Sequence, residues 1–63
     1  MILDDKLGAQ GDDAYAALIA AHEGLSTEAS HALNARLILV LMNEIGDAQR
    51  FKELVDAARS LPA

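Results

Sequence analysis

Apolar residues recur along this chain in three blocks, each bounded by residues that start or stop helices. In the first, Tyr15, Leu18, Ile19 and His22 fall at i, i+3, i+4 and i+7, one face of a helix whose back is largely alanine. Aspartates at positions 12 and 13 suit the positive end of a helix dipole, which places the start at Asp12 or Asp13. Gly24 followed by Leu25 suits a left-handed stop after Glu23, with the leucine reaching back to Ile19 or Ala20. Ser26 is an N-cap for the second block, Glu28 lies in its first turn, and Gly46 ends it. Asp47 caps a third block from about Ala48 to Ser60, ahead of Pro62. The pattern predicts helices over about 12–23, 27–45 and 48–60, with no hairpin or repeat signal. Residues 1–11, with Gly8 and Gly11 and no sustained period, read as an arm, either flexible or docked through Ile2, Leu3 and Leu7.

The three helices differ in what they must hide. The third puts Phe51, Leu54, Val55 and Ala58 on one face and Lys52, Glu53, Asp56 and Arg59 elsewhere, so it and the first are ordinary one-sided helices. The second contains the run Leu37-Ile38-Leu39-Val40-Leu41-Met42. At 100° per residue Leu33, Leu37, Leu41 and Ile45 form one ridge, Ile38 and Met42 extend it, and Leu39 and Val40 fall on the far side. Arg36 and Asn43 alone mark a narrow polar line. This helix is about 28 Å long at 1.5 Å per residue, and two shorter neighbours shield only part of its circumference. The surface left over, Arg36, Leu39, Val40, Met42 and Asn43, is therefore the predicted partner interface.

The links Gly24-Leu25-Ser26 and Gly46-Asp47 are short enough to force reversals. The expected architecture is all-α: a small three-helix up-down bundle, or a helical hairpin plus a third helix that packs only in an oligomer. Size adds a reason for a partner. A 63-residue chain buries only about 60% of the surface its unfolded form exposes. Small domains therefore add disulfides, a metal or an interface. The chain has no cysteine, which removes disulfides and the Cys/His zinc patterns. An oligomeric or foreign partner is the staple that remains.

Charge narrows the partner. The net charge is −5, and residues 1–25 set Asp4, Asp5, Asp12, Asp13 and Glu23 against Lys6 alone. An acidic domain repels phosphate, so neither nucleic acid nor an anionic membrane surface is expected as partner. Arg50, Lys52 and Arg59 on the third helix are offset by Asp47, Glu53 and Asp56, which argues against a DNA-binding helix-turn-helix. The longest apolar run is far shorter than the ~20 residues that span a bilayer. The start Met-Ile-Leu-Asp-Asp lacks the basic and apolar stretches of a signal peptide, so the expected location is cytoplasmic.

No catalytic constellation can be assembled: there is no Ser-His-Asp order, no glycine-rich phosphate loop and no pair of inward carboxylates. The chain is not expected to be an enzyme and implies no cofactor. His22 and His31, near Glu23 and Glu28, suggest a metal site on paper; His22 is better explained by the negative end of its own helix and His31 as a first-turn surface residue, so no metal is expected. Asn34 lies in the most apolar sector of the second helix, between Leu41 and Ile45, and reads as a buried amide that bonds a neighbouring helix and fixes register. Tyr15 reads as a core aromatic with its hydroxyl at the rim. The sharper reading makes Asn34 and Tyr15, with Arg36, the groups that orient a small ligand. Arg36 otherwise pairs with a carboxylate across an interface or stays solvated.

Taken together, Ala21-His22-Glu23-Gly24-Leu25-Ser26, Leu33-Asn34-Ala35-Arg36-Leu37 and Ile45-Gly46-Asp47 resemble the small bacterial proteins grouped as domain of unknown function 2783, over roughly residues 13–59. The resemblance implies a short, cytoplasmic bacterial protein. It also implies a place beside flavin-dependent aromatic hydroxylases and metallo-hydrolases in catabolic gene clusters, hence an accessory role. The arm at residues 1–11 lies outside it. The functional expectation is an interaction protein, either a homodimer or an accessory subunit of a larger enzyme such as a flavin-dependent aromatic monooxygenase. The alternative is a module that holds a small apolar or aromatic ligand between helices.

Overall fold

In the computed structural model, which describes residues 4–62, the chain is a succession of helices joined by short turns: a 3-10 turn Gly8–Gln10, α1 Gly11–His22, α2 Thr27–Ile45 and α3 Ala48–Ser60. Local chemistry accounts for each boundary. The Ser26 side chain accepts a hydrogen bond from the Ala29 amide at 3.1 Å and starts α2. Gly46, at φ 66°, ends α2 in the left-handed region that only glycine enters at little cost, and its N–H donates to the Met42 carbonyl. Asp47 follows at once and caps α3 through the Arg50 amide at 3.1 Å. Leu61 turns extended, as a residue ahead of proline must. Between α1 and α2, Glu23 at φ −61°, ψ 133° and Gly24 at φ 76° form a type II turn, closed by the Leu25 N–H on the His22 carbonyl at 3.3 Å.

The beginning of α1 differs from the sequence expectation. No side chain caps α1 itself; instead the Asp5 carboxylate accepts from the amides of Leu7 and Gly8 at 3.0 and 3.1 Å, and the chain winds through the 3-10 turn directly into α1. Asp12 and Asp13 sit in the first turn, where their charge meets the helix dipole. Residues 8–11 of the presumed arm are therefore helical, wound from the Asp5 turn straight into α1. Ile2 and Leu3, the other two docking residues of that arm, lie outside the described residues.

All three helices are present, but they do not close over a core. α3 approaches α2 beside their shared turn, whereas α1 meets α2 only sparsely. The radius of gyration is 13.2 Å, against about 11 Å for a compact chain of this length. No described residue is fully buried; Leu33, Leu37, Ile45, Phe51, Leu54 and Ala57 reach half-burial. Asn34 and Tyr15, expected inside, are both exposed, Tyr15 to 65%. The cause is the reach of the side chains. The face of α1 that looks toward α2 carries Ala14, Ala17 and Ala21 around a single Leu18, too short a set to fill the space between diverging helices.

Candidate interaction surface

Two apolar clefts follow from this splay. The first, about 590 Å³, lies between α1 and α2 and is lined by Leu18, His22 and alanines on one wall and by Leu33, Leu37 and Leu41 on the other, with Leu7 at its rim. The second, about 320 Å³, sets Ile38, Leu41 and Ile45 of α2 against Phe51, Leu54, Val55 and Ala58 of α3. Leu41 belongs to both. A hollow of about 390 Å³ wraps the α2–α3 turn, lined by Met42, Asn43, Gly46, Ala48, Phe51 and Lys52 among others.

The predicted interface residues separate into two groups. Met42 and Asn43 line the hollow at the α2–α3 turn. Arg36, Leu39 and Val40 form an outer strip, with Leu39 exposed to 59% and Val40 to 64%. The sequence assigned wetness to this far side of α2 and to Met42, which is 41% exposed. The structure extends it, because Ile38 and Leu41, on the inward ridges, are also about half exposed.

Polar chemistry concentrates at the closed end of the first cleft. His22 Nδ1 bonds the Leu18 carbonyl and His22 Nε2 bonds Asn34 Oδ1, each at 2.7 Å. The Leu18 carbonyl and then the Asn34 side chain favour the protonated ring, and they raise the His22 pKa above its ordinary 6.5. Asn34 thus does bridge two helices, though from an exposed position and through a histidine that the sequence explained by its helix end alone. A histidine in the last turn of one helix and an asparagine twelve residues on, across a tight link, was the available signal. Tyr15 and Arg36 are not among the residues that line the α1–α2 cleft, so the three polar groups expected to orient a ligand there do not converge.

On α3, Arg50 pairs with Glu53 at 3.2 Å along the same helix, an exposed contact of small energetic weight. Among the described residues no three His, Cys, Asp or Glu side chains gather as a metal site. No helix among them is long and apolar enough to cross a membrane.

A family model described as a protein of unknown function (DUF2783) matches residues 3–60. The match takes in residues 3–11, which the sequence resemblance had left outside. No curated protein and no solved structure matches the chain.

Proposed function

Because the chain belongs to the DUF2783 family, whose description carries no activity, we propose a function from the geometry: it is an interaction protein that acts by assembly, with another protein covering α2 and its two clefts. The observation that carries this reading is the exposure of Leu39, Val40, Ile38 and Leu41 on one helix, with none of the described residues fully buried. Apolar surface of this extent on a small soluble protein marks a site of association. The covering protein is a second copy or an enzyme subunit; the resemblance noted above makes a flavin-dependent aromatic monooxygenase the enzyme to assay alongside. In that setting the chain works as a scaffold or accessory subunit rather than as a catalyst.

Light scattering across a dilution series, with helical content followed by circular dichroism, tests the reading. Leu39→Gln/Val40→Gln should abolish assembly and leave the local helical turns, whose caps lie elsewhere, in place. Assembly unchanged by this double substitution, or a wild-type chain that stays monomeric with full cooperative helicity, overturns it. The ligand-binding alternative has the 590 Å³ cleft in its favour, a volume within the range of small-molecule sites. It predicts saturable thermal stabilisation by phenols or aromatic acids.

A further inference from the structure

Resting on the assembly reading, we propose that the outer face of α2 meets a second copy of this chain, the two α2 helices running antiparallel about a two-fold axis level with Leu37. At 100° per residue Glu28, Ala32, Ala35, Leu39, Met42 and Gly46 fall within about 40° of one line, spaced four and three apart like the seam of a coiled coil. All six are exposed. The line runs along the side of α2 turned away from Leu33, Leu37 and Leu41, which face α1. Both clefts open on that other side and lie outside this seam.

The first support is the order of side-chain sizes along the line. Its earlier half carries Ala32 and Ala35, its later half Leu39 and Met42. With the two-fold level with Leu37, Leu39 lies on the partner's Ala35 and Met42 on the partner's Ala32, and symmetry repeats both layers. Each layer then joins one large and one small side chain, which lets the two helices interdigitate over the whole length of α2. A parallel pair in register would set leucine on leucine and alanine on alanine, too wide at one end and hollow at the other.

Charge supplies the second support. The same register brings Glu28 level with the partner's Gly46, which lines the hollow at the α2–α3 turn together with Lys52. Neither the Glu28 nor the Lys52 side chain makes an ion pair or hydrogen bond within the described chain, and Asp47, at the same hollow, is committed to the α3 cap. Each end of the seam therefore closes on a Glu28–Lys52 pair between chains. On one flank the two Arg36 side chains lie near the axis, and each extends away from the other toward the partner's Asn43, whose amide oxygen accepts. In a parallel pair Glu28 would meet Glu28, which like-charge repulsion disfavours.

The test uses the full chain, with Ala35→Cys and Leu39→Cys made separately. Mixed and oxidised, the two variants should crosslink position 35 to position 39 across chains, while each alone crosslinks poorly, because like positions are offset by about 6 Å along the axis in addition to the width of the seam. Leu39→Gln should weaken dimerisation at least tenfold, and Val40→Gln, about 120° round the helix from the seam, should leave it intact. Glu28→Lys and Lys52→Glu should each weaken the dimer about tenfold at low salt, since each replaces two attractions by two repulsions, and the two reversals combined should restore it. Crosslinking of like positions in preference to the mixed pair, a dimer indifferent to Leu39→Gln, or a combined reversal as weak as either alone overturns the proposal. A chain that is monomeric and poorly helical until a different protein is added overturns the second copy and leaves the assembly reading standing. A monomer with full cooperative helicity overturns both.

Discussion

The two junctions of this molecule are built from similar turns and reach different degrees of packing. At α2–α3, a two-residue link brings Phe51 and Leu54 against Ile45, and these become half-buried. At α1–α2, a type II turn of equally definite geometry leaves an apolar cleft nearly twice as large, spanned at its closed end by the His22–Asn34 bond. Turn chemistry sets where a helix reverses. The side chains behind the turn decide whether the reversed helix packs, and an alanine-lined wall does not reach where a phenylalanine does.

The sharpest way to break this comparison is to remove the long side chain. Phe51→Ala should cost about 2 kcal/mol, below the 3–5 kcal/mol of a fully buried phenylalanine because Phe51 is only half-covered. Leu18→Ala on the α1 wall should cost clearly less. Chemical denaturation of the two variants reads the difference, and equal losses would mean that the two junctions are packed alike.

A smaller effect separates capping from packing. Asp47→Ala removes the bond to the Arg50 amide and should cost about 1 kcal/mol, and Ser26→Ala, which removes the bond to Ala29, should cost the same. Equal losses at two junctions that differ in packing would show that the caps act locally. A much larger loss at Asp47 would tie the α3 cap to the packing behind it.

The smallest effect is one of pH and belongs to the α1–α2 junction alone. The folded His22 pKa is raised above its unfolded value of 6.5, so the proton-linked support is fully present below that value and fades as pH rises through the folded pKa. The protonated ring donates to Leu18 and Asn34 together; the neutral ring keeps both bonds only if the Asn34 amide turns over. Amide exchange in the last turn of α1 should therefore speed up from weakly acid to weakly alkaline pH, beyond the intrinsic rate change, while the last turn of α3 shows no such excess. His22→Ala should erase the excess. An excess that survives the substitution would assign it to another group.

Much of this architecture was written in short-range pattern. Ser26, Gly46 and Asp47 start and stop α2 and α3 at the residues that cap chemistry requires, because a cap needs only a side chain and an amide two or three positions away. The apolar circumference of α2 was equally plain from the order of its residues, and with it the exposure of Leu39 and Val40. α1 begins at Gly11, one residue ahead of Asp12, with Asp12 and Asp13 in its first turn, and only the 3-10 turn before it, led in by Asp5, lay outside the pattern.

The tertiary structure alone decided how far the helices diverge, and hence that Asn34 and Tyr15 lie outside, that Ile38 and Leu41 stay half-exposed, and that Leu7 edges an apolar cleft. It also placed His22 within hydrogen-bonding distance of Asn34, twelve residues away. Helical periodicity says which residues share a face of one helix. The distance between two faces depends on side-chain reach on both walls together with the angle of the turn that joins them, and no window of sequence contains those quantities at once.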